Sequence, residues 1–158
     1  KPGESVTIST PFKVKIPSGS ISRLGHVGES FQITQWYPKP AVYDTAGWHQ
    51  MPYLTQGEFY SEFGSFDVFI TLPENYVLGA TGDLQTESEL VFLENKLKTT
   101  KKWIKEREDN GDWSDNRGMD FPPSSETLKT LYYHQDKVHD FGWFADCAVS
   151  VPIGNWWP

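Results

Sequence analysis

The chain has 158 residues, a net charge of -7, and seven Trp, seven Tyr and ten Phe within a hydrophobic content of 37%. That length suits one domain with a sizeable core rather than two ordinary ones, and so many large rings exclude a disordered chain. With 21 acids against 14 bases there is no basic stripe to track phosphates, which argues against nucleic acid as a partner, and the single Cys147 excludes an intrachain disulfide or a multi-cysteine zinc site.

No apolar run is long enough to span a bilayer and no signal peptide opens the chain. The first residue is Lys1 rather than Met, which reads as a piece of something longer. The opening residues are polar and turn-rich, with Val6 and Ile8 alternating against Thr7 and Ser9. Phe12, Val14 and Ile16 then alternate with Lys13 and Lys15 as far as Pro17, the pattern of a half-buried strand. In ISRLGHVGES, Gly25 and Gly28 bracket His26; without a βαβ pattern they mark a bend or a close backbone crossing, not a phosphate loop.

The run from Phe31 to Gly64 holds nine aromatic residues in 34 positions, interrupted by Pro38, Pro40, Pro52, Gly47 and Gly57. Prolines remove donors and fix φ, so no single regular element fits. A strand over Phe31–Trp36, an irregular aromatic crossing and a strand from about Glu58 are expected. Phe66, Val68, Ile70 and Leu72 keep period two up to Pro73, and Phe69 makes the second face apolar, which predicts a central strand. Tyr76 to Thr81 reads as its hairpin partner. Leu84–Leu93 predicts a weaker strand, and Lys96–Glu106 a solvent-facing one. A surface helix there would place Leu97, Lys101 and Ile104 on one face, but Thr99 and Thr100 favour strand. Residues 107–126 predict a long loop, 127–134 a strand, and Phe141–Ala145 and Ala148–Val151 two short ones. The predicted class is all-β: an antiparallel β-sandwich or a saddle-shaped open sheet.

Constellations with chemical potential are thin. His26, His49, His134 and His139 show no helical ligand spacing, and no His-Glu-x-x-His occurs, so they read as surface or hydrogen-bonded histidines, with His139–Asp140 a loop anchor. Cys147 reads as structural. Glu58 and Glu62 form a carboxylate pair only if geometry joins them. Asp109, Asp112, Asp115 and Asp120 suggest calcium, yet the sixth residue from Asp109 is Ser114 where the loop needs Gly. The rings Trp36, Tyr37, Tyr43, Trp48, Tyr53, Tyr60, Trp156 and Trp157 fit a carbohydrate platform, a packing wall toward a partner or domain, or core.

The run ITQWYPKPAVYDTAGWHQMPYLTQGEFYSEFGSFDVFITLPENYVLGATGDL (33–84), with ISRLGH before it and VHDFGWFAD at 138–146, is similar to the amino-terminal β-domain of bacterial M1-family zinc metallopeptidases, the aminopeptidase-like gluzincins. The resemblance implies an incomplete β-domain over 1–146 and a divergent tail over 147–158. It implies a domain without zinc or catalytic residues of its own, packed on a catalytic domain elsewhere in the parent that carries the zinc. It further implies that Gln35, and Tyr37 two places later, line the peptide-substrate cleft. At the second position relatives carry Gln or Glu; a carboxylate there would pair with a free α-amine, and Tyr37 departs from that pattern. Relatives also carry strands before the Phe12 strand, whose absence implies an edge open to dimerisation or domain swapping. An extracytoplasmic address is the family-level expectation. A free-standing carbohydrate- or protein-binding β-sandwich is the alternative.

Overall fold

The computed structural model of the chain describes residues 3–19, 23–52, 54, 56–57, 59–111 and 122–147. In chain order these form β1 (Leu24–Val27), β2 (Ser30–Ile33), β3 (Val42–Asp44), β4 (Gly47–His49), β5 (Gly64–Pro73), β6 (Val77–Ala80) and β7 (Asp83–Leu84). A helix, α1 (Glu87–Asp109), and strands β8 (Leu128–Val138) and β9 (Trp143–Asp146) follow. The strands pair antiparallel in three sheets: β1-β2-β9-β6, β5-β8-β7, and the hairpin β3-β4.

The core lies between the four-stranded and three-stranded sheets. Ile70, Leu72, Leu131 and Tyr133 come from one, Leu78 and Ala145 from the other, and Phe141, between β8 and β9, is fully buried. The Tyr133 hydroxyl donates to the Leu78 carbonyl at 2.9 Å, so one sheet-to-sheet contact also satisfies a buried polar group. Cys147 joins this core, with its thiol 3.6 Å from the Pro122 carbonyl.

The 23-residue α1 corrects the all-β sandwich: the fold is mixed, three sheets with a helix. Sheltered positions recur at Glu89, Phe92, Leu93, Lys96, Leu97, Thr100, Trp103 and Arg107, a helical period no strand produces. Lys101 and Ile104 lie on the exposed side. Thr99 is accommodated because its hydroxyl donates to the Asn95 carbonyl one turn back, at 3.0 Å. Glu87 and Glu89 in the first turn and Arg107 in the last oppose the helix dipole, and Gly111, at φ 63, ends the helix in the left-handed region.

Three further expectations are corrected. The strand Tyr76–Thr81 shortens to β6 and pairs with β9 rather than β5, because β8 takes the β5 ladder along its whole length. That puts β5 at a sheet edge, not at its centre; its second apolar face is one ring, Phe69, stacked on Tyr132 at 4.5 Å and otherwise exposed. Phe12–Ile16 forms no strand, and the predicted strand over Ala148–Val151 lies outside the described residues. The bend at Gly25–Gly28 is observed as the β1–β2 hairpin, with Gly28 at φ 55.

The start of α1 is tied to β8. Thr86 Oγ1 accepts the Tyr132 N–H at 2.9 Å, and the Lys129 ammonium reaches Glu89 at 2.7 Å while lying 3.9 Å from the centre of the Phe92 ring. Glu89 is 4% exposed, and burial holds its carboxyl above the usual range against the pull of Lys129. Lys129→Met strands that carboxylate and is expected to cost about 3–5 kcal/mol in urea unfolding. The double variant Glu89→Gln/Lys129→Met should recover most of this, and equal losses in both would contradict the pairing.

Candidate functional site

The β2 ladder stops at Ile33 because Gln35 turns to φ 52, a conformation uncommon for a residue with a side chain. The turn sends the next two rings to different duties. Trp36 packs edge-on against Trp143 at 6.5 Å and donates its indole N–H to the Phe141 carbonyl at 3.0 Å. Tyr37 donates to Asp140 Oδ1 at 3.0 Å, and that oxygen also accepts the Phe141 N–H at 2.8 Å. Lys39 completes the anchor, 3.0 Å from the other carboxylate oxygen and facing the Tyr37 and Phe59 rings at 5.6 and 5.9 Å.

Above this floor opens a cleft of about 540 Å³, lined by Gln35, Tyr37, Lys39, His49, Gln50, Met51, Phe59 and Tyr60 with Pro40, Ala41 and Pro52. Its volume lies within the roughly 300–1,000 Å³ usual for ligand sites. The far wall is the β3–β4 hairpin. There His49 Nε2 lies 2.8 Å from Asp44 Oδ1, the same oxygen accepts the Ala46 N–H at 2.8 Å, and the His49 ring meets Tyr60 edge-on at 5.0 Å. The close approach of the His49 ring holds the Asp44 carboxyl below its ordinary range. Burial and the adjacent Asp140 push the Tyr37 hydroxyl well up, so it stays protonated as a donor and cannot serve as a base. The cleft thus offers two carboxamides, Gln35 and Gln50, amid rings and apolar side chains, suited to holding a polar backbone beside an apolar group.

The two residues assigned to substrate by resemblance, Gln35 and Tyr37, both line this cleft. Sequence reading missed Lys39, His49, Gln50 and Phe59; the one available hint was Asp140, read as a loop anchor, which here anchors the cleft floor. The histidines do not assemble. His26 contacts the Gly28 carbonyl and stacks on Phe31, His139 tilts against Phe63, and His134 pairs with Asp67 on the exposed β5–β8 face. Among the described residues no group of three or more His, Cys, Asp or Glu is placed to hold a metal ion. Cys147 is buried, and burial pushes its thiol up, as a structural cysteine requires. Glu58 and Asp112, Asp115 and Asp120 lie outside the described residues, while Glu62 is exposed and Asp109 closes α1.

Comparison of the chain with protein-family models, with curated proteins and with solved structures finds no match. Among the described residues no helix is long and apolar enough to cross a membrane.

The exposed β5–β8 face carries the clearest titrating pair. Asp67 accepts the Tyr132 hydroxyl at 2.6 Å and lies 2.8 Å from His134 Nδ1, with Asp136 3.6 Å from His134 Nε2. Donating to the Asp67 carboxylate raises His134 above 6.5, and the hydrogen bonds donated by Tyr132 and His134 lower Asp67 below 3.8. The histidine contribution is complete below 6.5 and is lost as pH rises through its folded value; the aspartate contribution is present above 3.8 and is lost as pH falls through its own. The stability difference between the native chain and Asp67→Asn should therefore be widest between those values. NMR titration should find the His134 pKa above 6.5 in the native chain and lower in the variant; an unchanged pKa would contradict the pairing.

Proposed function

We propose that this chain is the β-rich amino-terminal part of an M1-like zinc metallopeptidase, packing beside a catalytic domain and forming one wall of its peptide cleft. One observation carries the reading: Gln35 and Tyr37, assigned to substrate by resemblance, share a preformed cleft, with Gln35 held at a positive φ. The Gln35 side chain would present its amide N–H to a peptide carbonyl, while the Phe59, Tyr60 and Met51 surfaces would take an apolar side chain. The Tyr37 hydroxyl is committed to Asp140, so Tyr37 would offer its ring and would not supply a charge for a free α-amine. Zinc and the hydrolytic residues belong to the catalytic domain in this reading, and no bond-breaking step is assigned to the present residues. An extracytoplasmic address belongs to the same reading.

A second reading, a free-standing carbohydrate- or protein-binding module, is favoured by one feature. Tyr43 and Trp48 face each other across the β3–β4 hairpin at 5.0 Å, each 66% exposed, as a stacking platform would be.

Hydrolysis of aminoacyl-anilides and blocked peptides by the chain and by its full-length parent separates the two. Activity in the parent alone, lost on chelation, supports the peptidase reading. Gln35→Ala in the parent should lower kcat/KM about 3- to 10-fold, the scale of one lost hydrogen bond. Hydrolysis by the chain alone would overturn the non-catalytic assignment. An inactive parent, with oligosaccharide or protein binding lost in Trp48→Ala, would favour the second reading.

A further inference from the structure

Two exposed surfaces in this molecule match each other. The first is the amino-terminal arm. Every residue from Gly3 to Lys15 is exposed and none of them lies in a strand, yet apolar side chains recur at Val6, Ile8, Phe12 and Val14, with 84, 79, 48 and 37% of their surface open. Burying such surface is the main driving force for association. The root of the arm is pinned to the four-stranded sheet: the His26 N–H donates to the Pro17 carbonyl at 3.0 Å, and Ser18 bridges His26 in parallel. Phe12 rests 5.9 Å from the Trp36 ring.

The second surface is the outer edge of β5. Among the described residues this ten-residue strand pairs with β8 on one side and with nothing on the other. Natural proteins blunt such edges with lysine, proline or a bulge. None of these lies between Phe66 and Leu72, and Phe69 is 67% exposed beside the edge.

We infer that the Pro11–Ile16 segment of one copy of this chain adds as an antiparallel strand to the β5 edge of a second copy, and reciprocally. With Val14 opposite Val68, Phe12 meets Ile70 and Ile16 meets Phe66, so three apolar pairs extend the buried face. The same register sets Lys15 opposite Asp67 and lays the Lys13 stem on Phe69. The charges are complementary: both lysines come from the arm and the carboxylate from the edge. Self-pairing of β5 would bring no cation to Asp67. A second copy fits better than the chain's own arm because the root is held on β1, in the other sheet, and reciprocal exchange closes under a two-fold with both edges covered.

Two measurements on the full 158-residue chain test this. Sedimentation across a concentration series should show a monomer–dimer equilibrium, which Phe69→Lys, an exposed change that leaves the core intact, weakens tenfold or more; a monomer at every concentration would overturn the inference. For the register, a Lys13→Cys chain is mixed with a Phe69→Cys chain under mild oxidation. Residues facing each other in an antiparallel ladder lie about 4.5–5.5 Å apart, within disulfide reach, and the native Cys147 is buried out of the exchange. A disulfide-linked heterodimer is expected. Cross-linking in the Phe69→Cys chain alone would instead show β5 pairing with itself, and an internal disulfide in monomeric Lys13→Cys/Phe69→Cys would place the arm on its own edge. Either would overturn the exchange.

Discussion

The Asp140 carboxylate is the joint on which the rest of the structure turns. It stands between β8 and β9, where the chain passes from the three-stranded sheet to the four-stranded one. Its two oxygens collect the Phe141 N–H, the Tyr37 hydroxyl and the Lys39 ammonium. The first bond sets the turn that buries Phe141 completely, and the other two bring the aromatic crossing down onto that turn. A carboxylate with a charged partner and two further donors is held more firmly than any neutral contact in the region would be. The core and the cleft floor therefore share one fastening.

From that joint outward the molecule changes character. Around Phe141 the rings of Trp36, Tyr37, Phe66 and Trp143 meet at centroid distances of 5.4–6.5 Å, mostly edge-on or tilted, the geometry aromatic quadrupoles favour. The β3–β4 hairpin reaches away from this cluster. Its inner face carries Val42 and His49, while Tyr43 and Trp48 stand in solvent. A cleft with a fixed floor and an exposed opposing wall suits a ligand chain laid across it, and Tyr43 and Trp48 leave aromatic surface open beside it. Helix α1 is held at its beginning by Thr86, Glu89 and Phe92 against β8.

Much of this was legible in the residues where one physical signal dominated. Period two with β-branched and aromatic side chains located β5, and the glycines around His26 marked the bend that turns out to join β1 to β2. Thr99 and Thr100 favour strand by propensity, but the burial period across 23 residues and the Thr99 bond to Asn95 make this segment a helix. A short turn favours a β5–β6 hairpin locally, whereas the longer β5–β8 ladder gains more paired backbone and leaves β6 to β9. Gln35 and Tyr37 were reached by resemblance alone. Nothing local could have joined Tyr37 to Asp140, 103 positions away, since that contact exists only once both sheets have formed.

The central claim is that the Gln35 cleft holds peptide, and the most direct test is to see the peptide. A crystal structure of the full-length parent with a non-hydrolysable peptide analogue should place a backbone amide within about 3 Å of the Gln35 carboxamide, with a side chain against Phe59 and Tyr60. An analogue bound to the parent with the Gln35 cleft filled by the parent's own residues would contradict the account.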